Sequence, residues 1–125
     1  MKSTNMKALS AFFILQRMGQ KQIPTPVAYK LYKLRQKLKE ILEFVREQEQ
    51  TMMDEMGVKM DEAGHFQFGD DTEAQALFTT AHDELLNTEC EIEGEETVIR
   101  MADLPDKLEI SMNEIEALDG FVRFE

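Results

Sequence analysis

Apolar residues recur at Val27, Leu31, Leu34, Leu38, Ile41 and Val45, in steps of 4, 3, 4, 3 and 4. That spacing is a heptad seam, the pattern of one helix face turned towards a partner helix. The same steps lead on to Gln48, Met52 and then Glu55 or Met56, and neither Gly nor Pro interrupts the stretch from Val27 to Met56. Thr25 is placed to cap the N-terminus, Pro26 suits the first turn, where its missing N–H costs nothing, and Gly57 stops the helix. The pattern therefore predicts one helix over residues 25–56. At 1.5 Å per residue it spans about 48 Å. A compact chain of this size has a diameter of only about 35 Å, so an elongated molecule is expected.

Shorter elements flank this helix. Residues 4–18 predict a first helix, apolar on more than one face through Leu9, Phe12, Phe13, Ile14 and Leu15, with Gly19 as its stop. Val58 to Phe68 alternates around Glu62-Ala63-Gly64 and predicts a β-hairpin. Asp70 or Asp71 then caps another helix, whose Ala74, Phe78, Ala81, Leu85 and Thr88 repeat the 4, 3 spacing. This helix is expected to fold back antiparallel on the distal part of the long one, leaving Val27 to Leu34 to be covered by the first helix and the C-terminal segment. Residues 89–93 predict an edge strand, residues 97–101 a second short strand, and Ser111-Met112-Asn113-Glu114 a capping box opening a last helix over 112–118. Phe121, Val122 and Phe124 are expected to tuck back onto the core. The fold class expected is mainly α with minor β in one domain, residues 1–125: a long antiparallel helical hairpin, a small β-hairpin at its tip, and short helices at each end of the chain.

Charge changes this picture. The chain carries a net −11, which disfavours nucleic acid as the main partner because phosphate binding needs a cationic surface. Residues 1–46 hold ten Lys/Arg against Glu40 and Glu43, a net of +8, whereas residues 47–125 carry a net of −19. The long helix is basic near its N-terminus and acidic near its C-terminus, the reverse of what its macrodipole favours. An antiparallel fold explains the bases if Glu84, Glu89 and Glu91 arrive beside Lys37 and Lys39, leaving the acidic tip exposed. Cys90 stands alone, so no internal disulfide forms, which fits a reducing compartment. Residues 1–15 faintly resemble a signal peptide, but Gln16-Arg17-Met18 is no small-residue cleavage site. The apolar run is too short to cross a bilayer, and no membrane association is expected.

Candidate chemistry is sparse. His65 and His82 lie in separate elements, and His82-Asp83-Glu84 lacks the second histidine of a zinc-protease helix. Two surface histidines and a buried thiol are the plain expectation. Helical nucleotide hydrolases place paired acids on facing helices to hold Mg²⁺. Here Glu40 and Glu43 have no such pair opposite, since Glu116 and Asp119 belong to the last helix. No G-x-S-x-G, glycine-rich phosphate loop or cysteine–histidine relation is present. Lys30, Lys33, Arg35, Lys37 and Lys39 interleave only with Tyr29 and Tyr32, a weak nucleic-acid signal. No catalytic, cofactor-binding or metal-binding residues are assigned. The best candidate surface is the tip, where acids and shape-adapting methionines gather: Glu47, Glu49, Met52, Met53, Asp54, Glu55, Met56 and Met60. Gap-filling under the hairpin is the competing role for the methionines.

Several segments together resemble a family of small uncharacterised proteins encoded by phages and prophages of Gram-positive bacteria, a domain of unknown function. They are Ile23-Pro24 with Tyr29-Lys30, Met56-Gly57, Asp61-Glu62-Ala63-Gly64, and Glu84-Leu85-Leu86 with Glu89. Leu108-Glu109-Ile110-Ser111, Ala117-Leu118, Phe121 and Phe124-Glu125 complete the set. Asn5 and Met6 depart from the family's opening. The resemblance implies a phage origin and a place in the bacterial host cytoplasm or on the virion, but no activity. The function expected is a non-enzymatic accessory protein that binds a host or phage protein, such as a nucleic-acid-binding defence protein that carboxylates could occlude in place of phosphates. A structural or tail-assembly component is the alternative, and a Mg²⁺-dependent helical nucleotide hydrolase a distant one. A homo-oligomer is compatible with each.

Overall fold

In the computed structural model, which describes Met1–Glu125, four α-helices carry most of the chain: α1 (Asn5–Met18), α2 (Thr25–Met56), α3 (Thr72–Asn87) and α4 (Met112–Leu118). Six strands of two or three residues form three separate pairs. β1 (Lys2–Thr4) runs antiparallel to β4 (Glu89–Glu91), β2 (Lys59–Met60) antiparallel to β3 (Phe66–Gln67), and β5 (Thr97–Ile99) parallel to β6 (Val122–Phe124). The protein is mainly helical, and its long helix has 32 residues.

The principal partner of α2 is α1. Ala8, Ala11, Phe12, Ile14, Leu15 and Met18 of α1 meet Val27, Leu31, Leu34, Leu38 and Leu42 of α2 in the main core. Ile92, Ile99, Leu118, Phe121 and Val122 close that core from the C-terminal half of the chain. The first helix is thus central, with Thr4 capping it by accepting the Lys7 N–H at 3.2 Å. Its only buried polar residue, Asn5, donates from Nδ2 to the Leu85 carbonyl at 2.8 Å and from its N–H to the Thr88 carbonyl at 3.0 Å. These bonds add acceptor partners at the C-terminal end of α3, where carbonyls run out of helical N–H groups.

Three expectations need correction. The cap of α2 is Pro24, not Thr25, because the Pro24 carbonyl accepts the first helical bond, from the Ala28 N–H at 2.9 Å, and no side chain caps the end. The buried stripe of α2 keeps the predicted Val45 but drifts from the heptad on either side of it: Leu42 and Met53 are buried, Ile41 and Met52 are half-buried and Gln48 is exposed. A straight helix repeats every 3.6 residues, so its inward face slides past a 3.5-residue seam unless the helix supercoils. Lastly, Glu84, Glu89 and Glu91 make no ion pair with Lys37 or Lys39. β4 instead lies along β1, with Glu91 opposite Lys2 and Glu89 opposite Thr4. The bases of α2 stay exposed, apart from half-buried Arg35.

The accessible surface is 8814 Å², against roughly 6,900 Å² for a compact protein of the same mass. The excess reflects α2, whose distal end reaches beyond the main core to a small second one.

Candidate functional site

That second core lies where α2 ends. Gly57, at φ 67°, ends the helix in the left-handed conformation that glycine adopts without a Cβ penalty. The N–H groups of Gly57 and Val58 both donate to the Met53 carbonyl. The chain then turns into β2, and Asp61 fixes the hairpin by accepting the His65 N–H at 2.8 Å and the Gln67 side-chain amide at 2.9 Å. Asp71 caps α3 by accepting the Ala74 N–H at 3.0 Å.

Inside this frame Met53, Val58 and Phe78 are buried, with Met52, Met56, Phe66 and Phe68 packed around them. Phe78 is the hub. Its ring centroid lies 4.6 Å from that of Phe66 and 5.6 Å from that of Phe68, both tilted or edge-on, and 5.8 Å from His82, which stacks on it. His82 Nε2 sits 2.6 Å from Glu49 Oε2, and each side chain is only 19 % exposed. This interhelical contact is the one sequence reasoning missed. His82 is no surface histidine, and the signal for it was present: it stands four residues after Phe78, while Glu49 stands four after Val45 on the inward face.

The candidate tip residues therefore divide. Met53 faces inward, Met52 and Met56 are half-buried beside it, and Glu49 is held by His82. Glu47, Asp54, Glu55 and Met60 face outward. None of the three exposed acids has a cationic partner; Asp54 accepts only the neutral Gln50 amide, at 3.0 Å. In the hairpin and the start of α3, Glu62, Asp70 and Glu73 are also exposed, with Lys59 the one exposed Lys or Arg there. The result is a negative outer surface over an aromatic and methionine interior. Chemically it can offer carboxylates to a cationic partner, with exposed Met60 as an apolar contact.

Elsewhere the chemistry is thin. No three His, Cys, Asp or Glu side chains gather closely enough to hold a metal ion, and no helix is long and apolar enough to cross a membrane. A cleft of about 220 Å³ opens between α1 and α2, lined by Leu15, Met18, Ile23, Leu31, Tyr32 and Arg35 among others. It is smaller than the usual range for small-molecule sites. Comparison with known proteins finds no matching family model, no matching curated protein and no matching solved structure.

Proposed function

We propose that this chain is a non-enzymatic accessory protein, of the phage type implied by its sequence resemblance, that binds another protein through the acidic outer surface of its tip. The observation behind this proposal is the set Glu47, Asp54 and Glu55: exposed, without cationic partners, and carried on a helix end backed by a packed core. Here α2 and α3 act as the two arms of an antiparallel hairpin with β2–β3 at its tip. Two contacts support that arrangement, Phe78 against Met53 and, one turn further along α3, His82 on Glu49, one turn back along α2. A firm scaffold lets the acids meet a partner with little ordering cost. The partner class that fits is a nucleic-acid-binding protein, whose cationic groove accepts carboxylates where phosphates would sit.

Capture from a phage-infected bacterial host lysate, followed by competition, tests this. The expected result is a captured protein that releases labelled DNA or RNA as the chain is added, with the effect fading in high salt. Capture of phage structural proteins alone would favour the tail-assembly alternative and defeat this one.

A further inference from the structure

The bases of α2 have no anionic partner within one molecule, and their arrangement points to a second copy of the chain. On the face opposite the core, Lys30, Lys33, Lys37, Glu40, Phe44, Glu47, Thr51 and Asp54 follow one another in steps of 3, 4, 3, 4, 3, 4 and 3. All eight are exposed, so α2 carries a second line of heptad spacing, outward-facing and without ion pairs in its own chain. We propose that this line is a self-association surface on which two copies dock antiparallel, about a two-fold axis at the level of residue 42.

Three observations select that arrangement. The first is charge. Antiparallel pairing about residue 42 sets Lys30 against the second copy's Asp54, Lys37 against its Glu47, and Lys33 against its Thr51, each contact occurring twice by symmetry. Glu40 meets Phe44, and no like charges stand directly opposite. A parallel pair would put lysine on lysine and glutamate on glutamate. None of these charged residues has an ion-pair partner in its own chain. Their contacts within the chain are with neutral groups: Lys30 donates to the Val98 carbonyl at 3.3 Å, Lys33 lies over the Tyr29 ring at 4.7 Å, and Lys37 lies against Gly94.

The second is the helix dipole. α2 has no acid in its first turn and no base in its last, so its charges run against its own macrodipole. In the antiparallel pair each basic half lies beside the C-terminal half of the other helix, and each acidic half beside the N-terminal half. The third is the apolar content. Phe44 is 47 % exposed and sits two residues from the axis, so the two rings flank it about 3 Å to either side along the helix. A line this polar gives a weak, salt-sensitive dimer at the small end of interface sizes.

Dimerisation needs no foreign protein, although Glu47 and Asp54 belong to both surfaces. Sedimentation of the purified chain therefore tests it separately from partner capture. At low salt a monomer–dimer equilibrium is expected, with its Kd raised about tenfold or more by Lys37→Glu or by Glu47→Lys alone. The double variant Lys37→Glu/Glu47→Lys should restore a Kd within about threefold of the parent, because the pair is rebuilt with its charges exchanged. A second readout uses Lys33→Cys/Thr51→Cys in a Cys90→Ser background. These positions are about 27 Å apart along one helix, so mild oxidation should give only disulfide-linked dimers. A chain that stays monomeric and fails to cross-link, or a dimer unmoved by the single reversals, would overturn the proposal.

Discussion

Glu114 and Cys90 are the residues whose titration the fold shifts most clearly, in opposite directions and for different reasons. At Glu114 the Ser111 N–H donates to the carboxylate at 3.1 Å, while the Glu114 N–H donates back to the Ser111 hydroxyl at 3.1 Å. The backbone bond holds the carboxyl below its ordinary value, with the Ser111 hydroxyl and the charges of Lys21 and Arg17 adding to it. A carboxyl depressed on folding stabilises above its unfolded pKa, and that contribution disappears as pH falls through the lower folded value. Ser111→Ala should cost about 0.5–2 kcal/mol at neutral pH, and Glu114→Gln should flatten the acid limb of the stability curve, both measurable by denaturant titration. At Cys90, burial pushes the thiol up, partly offset by a backbone hydrogen bond. The thiol is protonated at neutral pH, so disulfide reagents should modify it more slowly than an unhindered cysteine peptide. A rate equal to the peptide's would contradict this burial of Cys90.

At the scale of elements, the register of α2 makes the sharpest prediction. Leu42 is buried and Ile41 half-buried, so Leu42→Ala should lose about 2–5 kcal/mol and Ile41→Ala clearly less. Equal losses, or the reverse order, would restore the heptad register. In the second core, Phe78→Ala should cost about 3–5 kcal/mol. His82→Ala, which leaves Glu49 half-buried without its partner, should cost about 1–3 kcal/mol.

These elements also divide what could be read in the sequence from what could not. The bounds of α2, the capping box of α4 and the β2–β3 turn follow from local rules, since Pro, Gly, Ser and Asp impose their conformations on their neighbours. The position of β1 does not. Lys2-Ser3-Thr4 has no apolar alternation, and it is a strand only because residues 89–91, distant in sequence, lie beside it. The parallel β5–β6 pair depends on a similar return. That α1 would cover Val27 to Leu34 followed from the length of α3, but that α1 rather than α3 would be the main partner was hidden, because an apolar face does not name the face it meets. At the tip the residue set was legible, but its division into inward methionines and outward acids depended on a one-residue drift that a strict heptad conceals.

Over the whole molecule, one long helix joins two cores and carries uncompensated charge of opposite sign at its two ends. The main core, built on α1, fixes the basic half; the smaller one, built on Phe78, fixes the acidic half. The function proposed above requires that acidic half to act through its charge. The most direct measurement is capture of the proposed partner by the parent chain and by a Glu55→Lys/Met60→Lys variant, in parallel and at equal bait. Both residues are exposed and lie outside the proposed dimer line, so fold and self-association should be unchanged. A fall of about tenfold or more in the captured nucleic-acid-binding protein is the predicted result. Undiminished capture by the reversed-charge variant would contradict a binding function for the tip.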